Sequence, residues 1–314
     1  MPGEMDREKQ AMVAQTKSVG PLLQGAIDMH YHGYPEMTPQ IKSRVDDVAM
    51  LEMARELGMR GIVIKSQMWP TMGRVYHLRQ RVTGIECFSS ITLNSIVGGL
   101  SPWVVEVAAK QGAKVVWLPT WSSTHMIGEV GFSKMIKGWF PSLKFEPGLC
   151  CINASGKVTP DVRSVIELCK DMDLVLCTGH ISFNESLAVA QEAERIGFSR
   201  LVFTHPLAGV IPASLDETKE MVRRGAYIEF CAVNIFKGRN LERIPEFIVE
   251  LGADHCILST DAFREWVPPG PELLRMFIGR LLMISGIDEE SLKKMVQYNP
   301  AILLGLPPIG EQSK

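Results

Sequence analysis

Several absences narrow this chain before any motif is read. No apolar run approaches the ~20 residues needed to span a bilayer, and the first 20 residues are charged or small, with no core of signal-peptide length. Neither sign of charge dominates: 33 basic side chains face 35 acidic ones, which argues against a surface built for nucleic acid or for anionic membrane. The seven cysteines (Cys87, Cys150, Cys151, Cys169, Cys177, Cys231 and Cys256) contain no C-x-x-C spacing, and an odd count makes a poor disulfide framework. They are expected to be reduced thiols, with adjacent Cys150 and Cys151 the one place where a redox or metal pair is open. These absences predict a cytoplasmic protein with a small-molecule partner, no nucleic acid and no membrane, and they leave room for a homo-oligomer.

What is present is a globular composition, 46% hydrophobic and 22% charged. The run Ala26 to Gly33 delivers His30 and His32 two residues apart. Read as a strand, it points Asp28, His30 and His32 to one face and Met29 and Tyr31 to the other, so that two imidazoles converge. Ser43 to Asp46 has the form of a helix start, and Val48, Leu51, Ala54 and Leu57 follow at helical spacing up to Gly58. The β-branched run Gly61 to Lys65 is the second strand. Further strands are predicted at Glu86–Ile91, Ala113–Leu118, Asp173–Thr178, Arg200–Thr204, Ala226–Phe230 and His255–Thr260, with helices over 104–110, from Thr159, from Ser182, from Ser214, over 245–251 and over 289–298.

Eight strands alternating with helices predict an α/β fold, a (β/α)8 TIM barrel, as a single domain over 1–314. Residues 1–24 form an N-terminal extension in this reading. The long connection between strands 4 and 5 is an insertion at 119–157, carrying Trp121, Phe132, Trp139 and Phe140, and it is expected to act as a lid over the mouth, or else to form a satellite core or subunit contact.

Polar residues stand at the ends of these strands: Lys65, His125, His180, His205 and Asp261. In a barrel all lie around one rim. His30, His32, His180, His205 and Asp261 make a nitrogen- and oxygen-rich set suited to Zn2+, with Mn2+ or Fe2+ as alternatives. Trp121, His125 and Lys65 are candidate substrate contacts. Glu229 alternates with Tyr227 and could support the site from behind, whereas Glu185, three residues after Ser182, is explained by a capping box. His77 and His255 have no place at the rim.

The order H-x-H, Gly179-His180, Thr204-His205-Pro206, Ser259-Thr260-Asp261-Ala262 and Asn299-Pro300-Ala301 resembles the amidohydrolase superfamily of metal-dependent barrel hydrolases, over residues 25 to 306. The resemblance implies one or two divalent ions. The first-strand histidines and Asp261 would bind the more buried one, His180 and His205 would bind or flank a second, and Asp261 would handle the water proton as a catalytic residue. Hydrolysis of an amide, lactam, lactone or ester is the expected reaction, with a decarboxylase, a deaminase or a non-catalytic metal-binding barrel as the alternatives. The sequence departs from the family at the fourth strand, where binuclear members carry a carbamylated lysine and this chain reads Trp117-Leu118-Pro119-Thr120. Lys65, the other catalytic candidate, is then a bridging carbamate, a substrate-anchoring ammonium or a surface residue.

Overall fold

The computed structural model describes residues 19–128, 132–143, 147–233 and 242–308. Eight parallel strands run in sequence order: β1 (Ile27–His32), β2 (Gly61–Lys65), β3 (Glu86–Thr92), β4 (Ala113–Trp117), β5 (Val175–Cys177), β6 (Leu201–Phe203), β7 (Tyr227–Cys231) and β8 (Cys256–Ser259). Helices fill the intervals between them, so the architecture is the (β/α)8 barrel that the alternation predicts. The barrel closes where β8 meets β1. There the Asp261 N–H donates to the His30 carbonyl at 2.7 Å, the His32 N–H donates to the Ala262 carbonyl at 3.2 Å, and Tyr31 bridges Ala262. Among the described residues no helix is long and apolar enough to cross a membrane.

Two apolar layers follow from the pleat. Ile27, Met29, Val63, Val115, Trp117, Val175, Val202 and Ile257 fill the barrel interior. Residues of the opposite parity, such as Ile62, Ile64, Val116 and Leu176, pack outward against the helices. The floor is sealed by Ala301, Leu303 and Leu304 of the helix Asn299–Leu304. Asn299 fixes that plug by donating through Nδ2 to the carbonyls of Ala253 and Cys256. The closing helix expected over 289–298 widens into a π-helical turn at Lys294–Tyr298.

Strand β1 corrects the simple alternation. Its pairing with β2 jumps from Asp28 opposite Ile62 to Tyr31 opposite Ile64, one extra residue in β1. Such a bulge flips the side-chain phase. Met29 therefore joins the interior while Tyr31 joins the outer layer. Asp28 leaves the face of the imidazoles and instead accepts from the N–H and hydroxyl of Thr260. The first helix starts later than Ser43 suggests, at Asp47, because Asp46 is the residue whose side chain accepts from the Ala49 N–H. The helices Met72–Arg81 and Gly270–Met283 complete the outer ring, in addition to those expected from the sequence.

Between β4 and β5 lie two short helices, Thr124–Gly128 and Phe132–Trp139. Residues 129–131 and 144–146 of this connection lie outside the described residues, as do residues 1–18 of the N-terminal extension and the side chain of Phe132. Trp121, Ile136, Trp139 and Phe140 form a separate apolar cluster with Met37, Met68 and Phe263, which belong to the loops after β1, β2 and β8. The connection thus packs on the rim loops of both neighbouring sides of the seam.

Candidate metal centre

The seam of the barrel builds the site. His30 and His32 emerge past the β1 bulge, and Asp261 follows β8 and itself makes one of the backbone bonds that close the barrel. His30 Nε2 and His32 Nε2 lie 3.3 Å apart, and Asp261 Oδ1 is 3.3 Å from the first and 3.1 Å from the second. All three side chains are buried or nearly so.

The opposite edge of each imidazole is tied down. His30 Nδ1 donates to Glu229 Oε2 at 3.1 Å, and His32 Nδ1 donates to Glu36 Oε1 at 3.0 Å. A carboxylate only accepts, so the proton of each neutral ring is on Nδ1 and the Nε2 lone pair faces its neighbour. Glu36 is itself oriented by the Gln67 N–H at 2.7 Å. Two lone pairs and a carboxylate oxygen aimed at one another repel unless a cation or proton lies among them. That donor set, with its carboxylate-backed histidines, fits a divalent ion.

Asp261 holds a backbone φ of 51°, and His205 one of 30°, both in the left-handed region that L-residues avoid. Strain of this kind concentrates at functional sites. Gly179 (φ 62°) is obligatory for a different reason, since a Cβ there would fall 2.2 Å from the Leu118 carbonyl oxygen. The chain can then bring the His180 N–H to the Pro119 carbonyl at 2.9 Å. The His180 and His205 rings lie 5.1 Å apart, and His205 stacks at 5.9 Å on His30. All four histidines and Asp261 therefore meet in one buried cluster.

Lys65 is fully buried in the same cluster. Its Nζ donates to His30 Nε2 at 3.0 Å and sits 4.1 Å above the centre of the Trp117 ring. Burial pulls its proton affinity down, against the pull of Asp261 and Glu229. Burial lowers His30, helped by Lys65, and lowers His180 strongly, helped by His205 and Lys65. It takes His205 down to about 4. His32 differs: burial works to lower it, but Glu36 and Asp261 outweigh that and raise it. Burial would raise Glu229, yet the His30 ring holds it below the usual carboxylate range. The cluster is set up to keep most of its imidazoles neutral, the form that binds metal.

The remaining sequence candidates make other contacts. Trp121 is buried and donates through Nε1 to the Gln67 carbonyl at 3.0 Å. His125 is half-buried and bonds through Nε2 to the Val210 carbonyl at 2.9 Å, tying the β4 connection to the loop after β6. Glu185 makes the capping box with Ser182. His77 lies on an outer helix, and His255 at the opposite end of β8. Three contributors escaped the sequence. Trp117 was legible from β4 alternation as an interior residue. Glu36 sits on a loop with no periodicity to reveal it. Cys231, with Sγ 3.9 Å from His30 Nδ1, looked like one more buried thiol.

Residues 25–229 match the model of DUF6282, a family of unknown function. No curated protein matches the sequence. Among solved structures, an amidohydrolase from Pseudomonas aeruginosa superposes with a TM-score of 0.64 at 12% identity, covering 92% of this chain and 98% of that one. The probable dipeptidase PvdM from the same organism gives 0.60 at 11% identity, covering 93% and 98%. A 2,6-dihydroxybenzoate decarboxylase from Rhizobium gives 0.56 at 12%, covering 90% and 99%. The fold of these proteins is the one on which the motif order of this chain is carried.

Proposed function

The chain belongs to DUF6282, and from the centre it carries we propose that it is a metal-dependent hydrolase cleaving an amide, lactam, lactone or ester bond in a small molecule. One observation carries the reading: His30 Nε2, His32 Nε2 and Asp261 Oδ1 converge within 3.3 Å, with both imidazoles backed by carboxylates. His30, His32 and Asp261 would hold the ion, with His180 and His205 closing the far side. A divalent ion there, zinc, manganese or iron, supplies a water acidified toward a pKa of about 7 and a polarised carbonyl.

The chain's own residues do the rest. Asp261 accepts the proton of the attacking water and returns it to the leaving group. His205, neutral down to about pH 4, stays available at physiological pH as a ligand or hydrogen-bond partner. Lys65 offers a buried N–H donor to oxygen that gains negative charge. The segment 119–157 we read as the lid, with Trp121 and His125 holding its inner wall by their bonds to the β2 and β6 loops.

The test is a screen of the protein, stripped of adventitious ions and reloaded with Zn2+, Mn2+ or Fe2+, against ester, lactone, lactam and amide libraries. Metal-dependent turnover in one of these classes is expected. Absence of turnover with every metal would refute the reading, and metal-dependent release of CO2 from a carboxylic acid would move the protein to the decarboxylases.

A further inference from the structure

We propose that Arg264 is a substrate anchor, and that the molecule brought to the centre carries a carboxylate next to a planar, apolar portion. This rests on the reading of the centre as one that transforms a small molecule, and it adds the class of that molecule.

Arg264 follows Asp261 by three residues, and its guanidinium carbon lies 4.7 Å from the centre of the Phe263 ring and 5.9 Å from that of Trp139. Its other partner among the described residues is a thioether, Met135 Sδ, at 4.0 Å. No carboxylate pairs with it among the described residues, whereas Arg195, Arg200, Arg224 and Arg275 all have one. Arg264 is nevertheless half-buried. Burial alone lowers its proton affinity, with no neighbouring charge opposing. A guanidinium removed from water without an acceptor is costly, and an incoming anion relieves that cost.

Position and shape then define the anion. The Phe263 ring meets the His32 imidazole at 5.2 Å, so Arg264 stands one ring away from the metal cluster. Stacking on aromatic faces leaves the in-plane N–H edge of a guanidinium free, the edge that grips a carboxylate with two parallel hydrogen bonds. The same Phe263 and Trp139 faces offer a flat apolar ligand a surface beside that grip. A purely mechanical role is the competing account, in which Arg264 merely fastens the helix Phe132–Trp139 to the loop after β8.

Benzoate and its neutral isostere benzamide separate the two, measured by calorimetry on the zinc-loaded full chain. The wild type is expected to bind benzoate at least about tenfold more tightly than benzamide, the scale of a charge-assisted hydrogen bond. Arg264→Gln should lose that preference with metal content unchanged. Arg264→Lys, which keeps the charge and loses the fork, should fall between and serves if the glutamine variant does not fold. Equal binding of the two probes, or benzoate affinity unchanged in Arg264→Gln while its melting temperature drops, would overturn the proposal in favour of the fastener. Binding is read without turnover, so Arg264-dependent benzoate binding in a protein that hydrolyses nothing defeats only the hydrolytic reading. Hydrolysis without that binding defeats only this one.

Discussion

The two halves of the histidine cluster are built differently. On the seam side, His30 and His32 each give their Nδ1 proton to a glutamate, and their Nε2 atoms face Asp261 Oδ1. On the far side, His205 Nδ1 is buried with no hydrogen-bond partner among the described residues, and burial lowers the basicity of both rings, helped by His205 and Lys65 at His180 and by His30 and Lys65 at His205. The first half is oriented by carboxylates, which raise the basicity of His32 while burial and Lys65 still lower that of His30, and such backing suits a bound ion. The second is neutral and packed, with its geometry set by strain at His205 rather than by an outer carboxylate. Affinity for the ion should therefore reside in the seam, and the far histidines should matter more for what happens to the substrate.

Breaking either half measures the contrast directly. His30→Ala with His32→Ala removes two of three converging ligands and should weaken zinc binding by at least about a thousandfold, the metal-linked free energy of such sites being large. His180→Ala with His205→Ala should retain one equivalent of metal and lose turnover instead. Metal analysis after dialysis against a competing chelator checks both, and equal loss in the two double variants would erase the distinction.

A pH experiment sharpens it next. His205 has its folded value lowered to about 4 from 6.5, so the unfolded chain takes up its proton first as pH falls, and stability is lost between pH 6.5 and 4. The size is about 3 kcal/mol. Asp28 works in the opposite direction, since burial raises it to about 7 and the folded state holds the proton that the unfolded state releases above 3.8. The two slopes oppose each other in the wild type. In the metal-free protein, Asp28→Asn should expose the histidine slope, with the denaturation midpoint in urea falling steeply from pH 6.5 to 4. A variant as flat as the wild type would show that the far histidines are not held neutral.

Third in size is the carboxylate backing. Glu229→Gln and Glu36→Gln keep the shape but replace a charge-assisted bond, and each should cost about 10- to 100-fold in metal affinity. Glu229 is fully buried and, among the described residues, hydrogen-bonded by His30, whereas Glu36 is also bonded by the Gln67 N–H, so the glutamine should be better tolerated at 229 in folding and worse in metal retention. Affinities that match the wild type in both would reduce the carboxylates to packing.

How much of this the chain disclosed depended on period. Strands β2 and β4 kept strict alternation, so the inward placement of Val63 and Lys65, and of Trp117, was readable from sequence. In β1 a single inserted residue broke the phase, which no composition rule announces, and Asp28 was misplaced as a result. The clustering of the five strand-end residues was legible because the barrel converts positions distant in sequence into one rim. Glu36 and Arg264 were not, because both lie on loops whose course is fixed by contacts such as the Gln67 N–H and the Phe263 and Trp139 rings, far away in sequence. The helix Gly270–Met283 does carry a stripe, with Leu273, Leu274, Phe277, Ile278 and Leu281 buried opposite Glu272, Arg275 and Arg280, so its period was readable in the sequence.

The smallest expected effect concerns Lys65, which adds a positive charge to the side of the cluster already rich in ligands. Its Nζ lies 4.1 Å above the Trp117 ring, on the face where an aromatic system carries its negative charge. An ammonium is attracted there and an anion is repelled. A carbamate on Lys65 would put negative charge against that face, and it would need room for three more heavy atoms where Nζ and His30 Nε2 are one hydrogen bond apart at 3.0 Å. Lys65 is therefore read as an amine, and one that competes with an incoming ion for the His30 lone pair. Lys65→Met, which keeps the length and removes both the charge and the donor, should tighten zinc binding by about tenfold, a modest share of the repulsion expected between like charges a few ångströms apart. Turnover of any substrate whose oxygen Lys65 contacts should fall at the same time. Competition against a fluorescent zinc chelator measures the first effect. Weaker zinc binding in Lys65→Met, or a second equivalent of metal in the wild type that depends on added bicarbonate, would instead establish the carbamate and with it a binuclear centre.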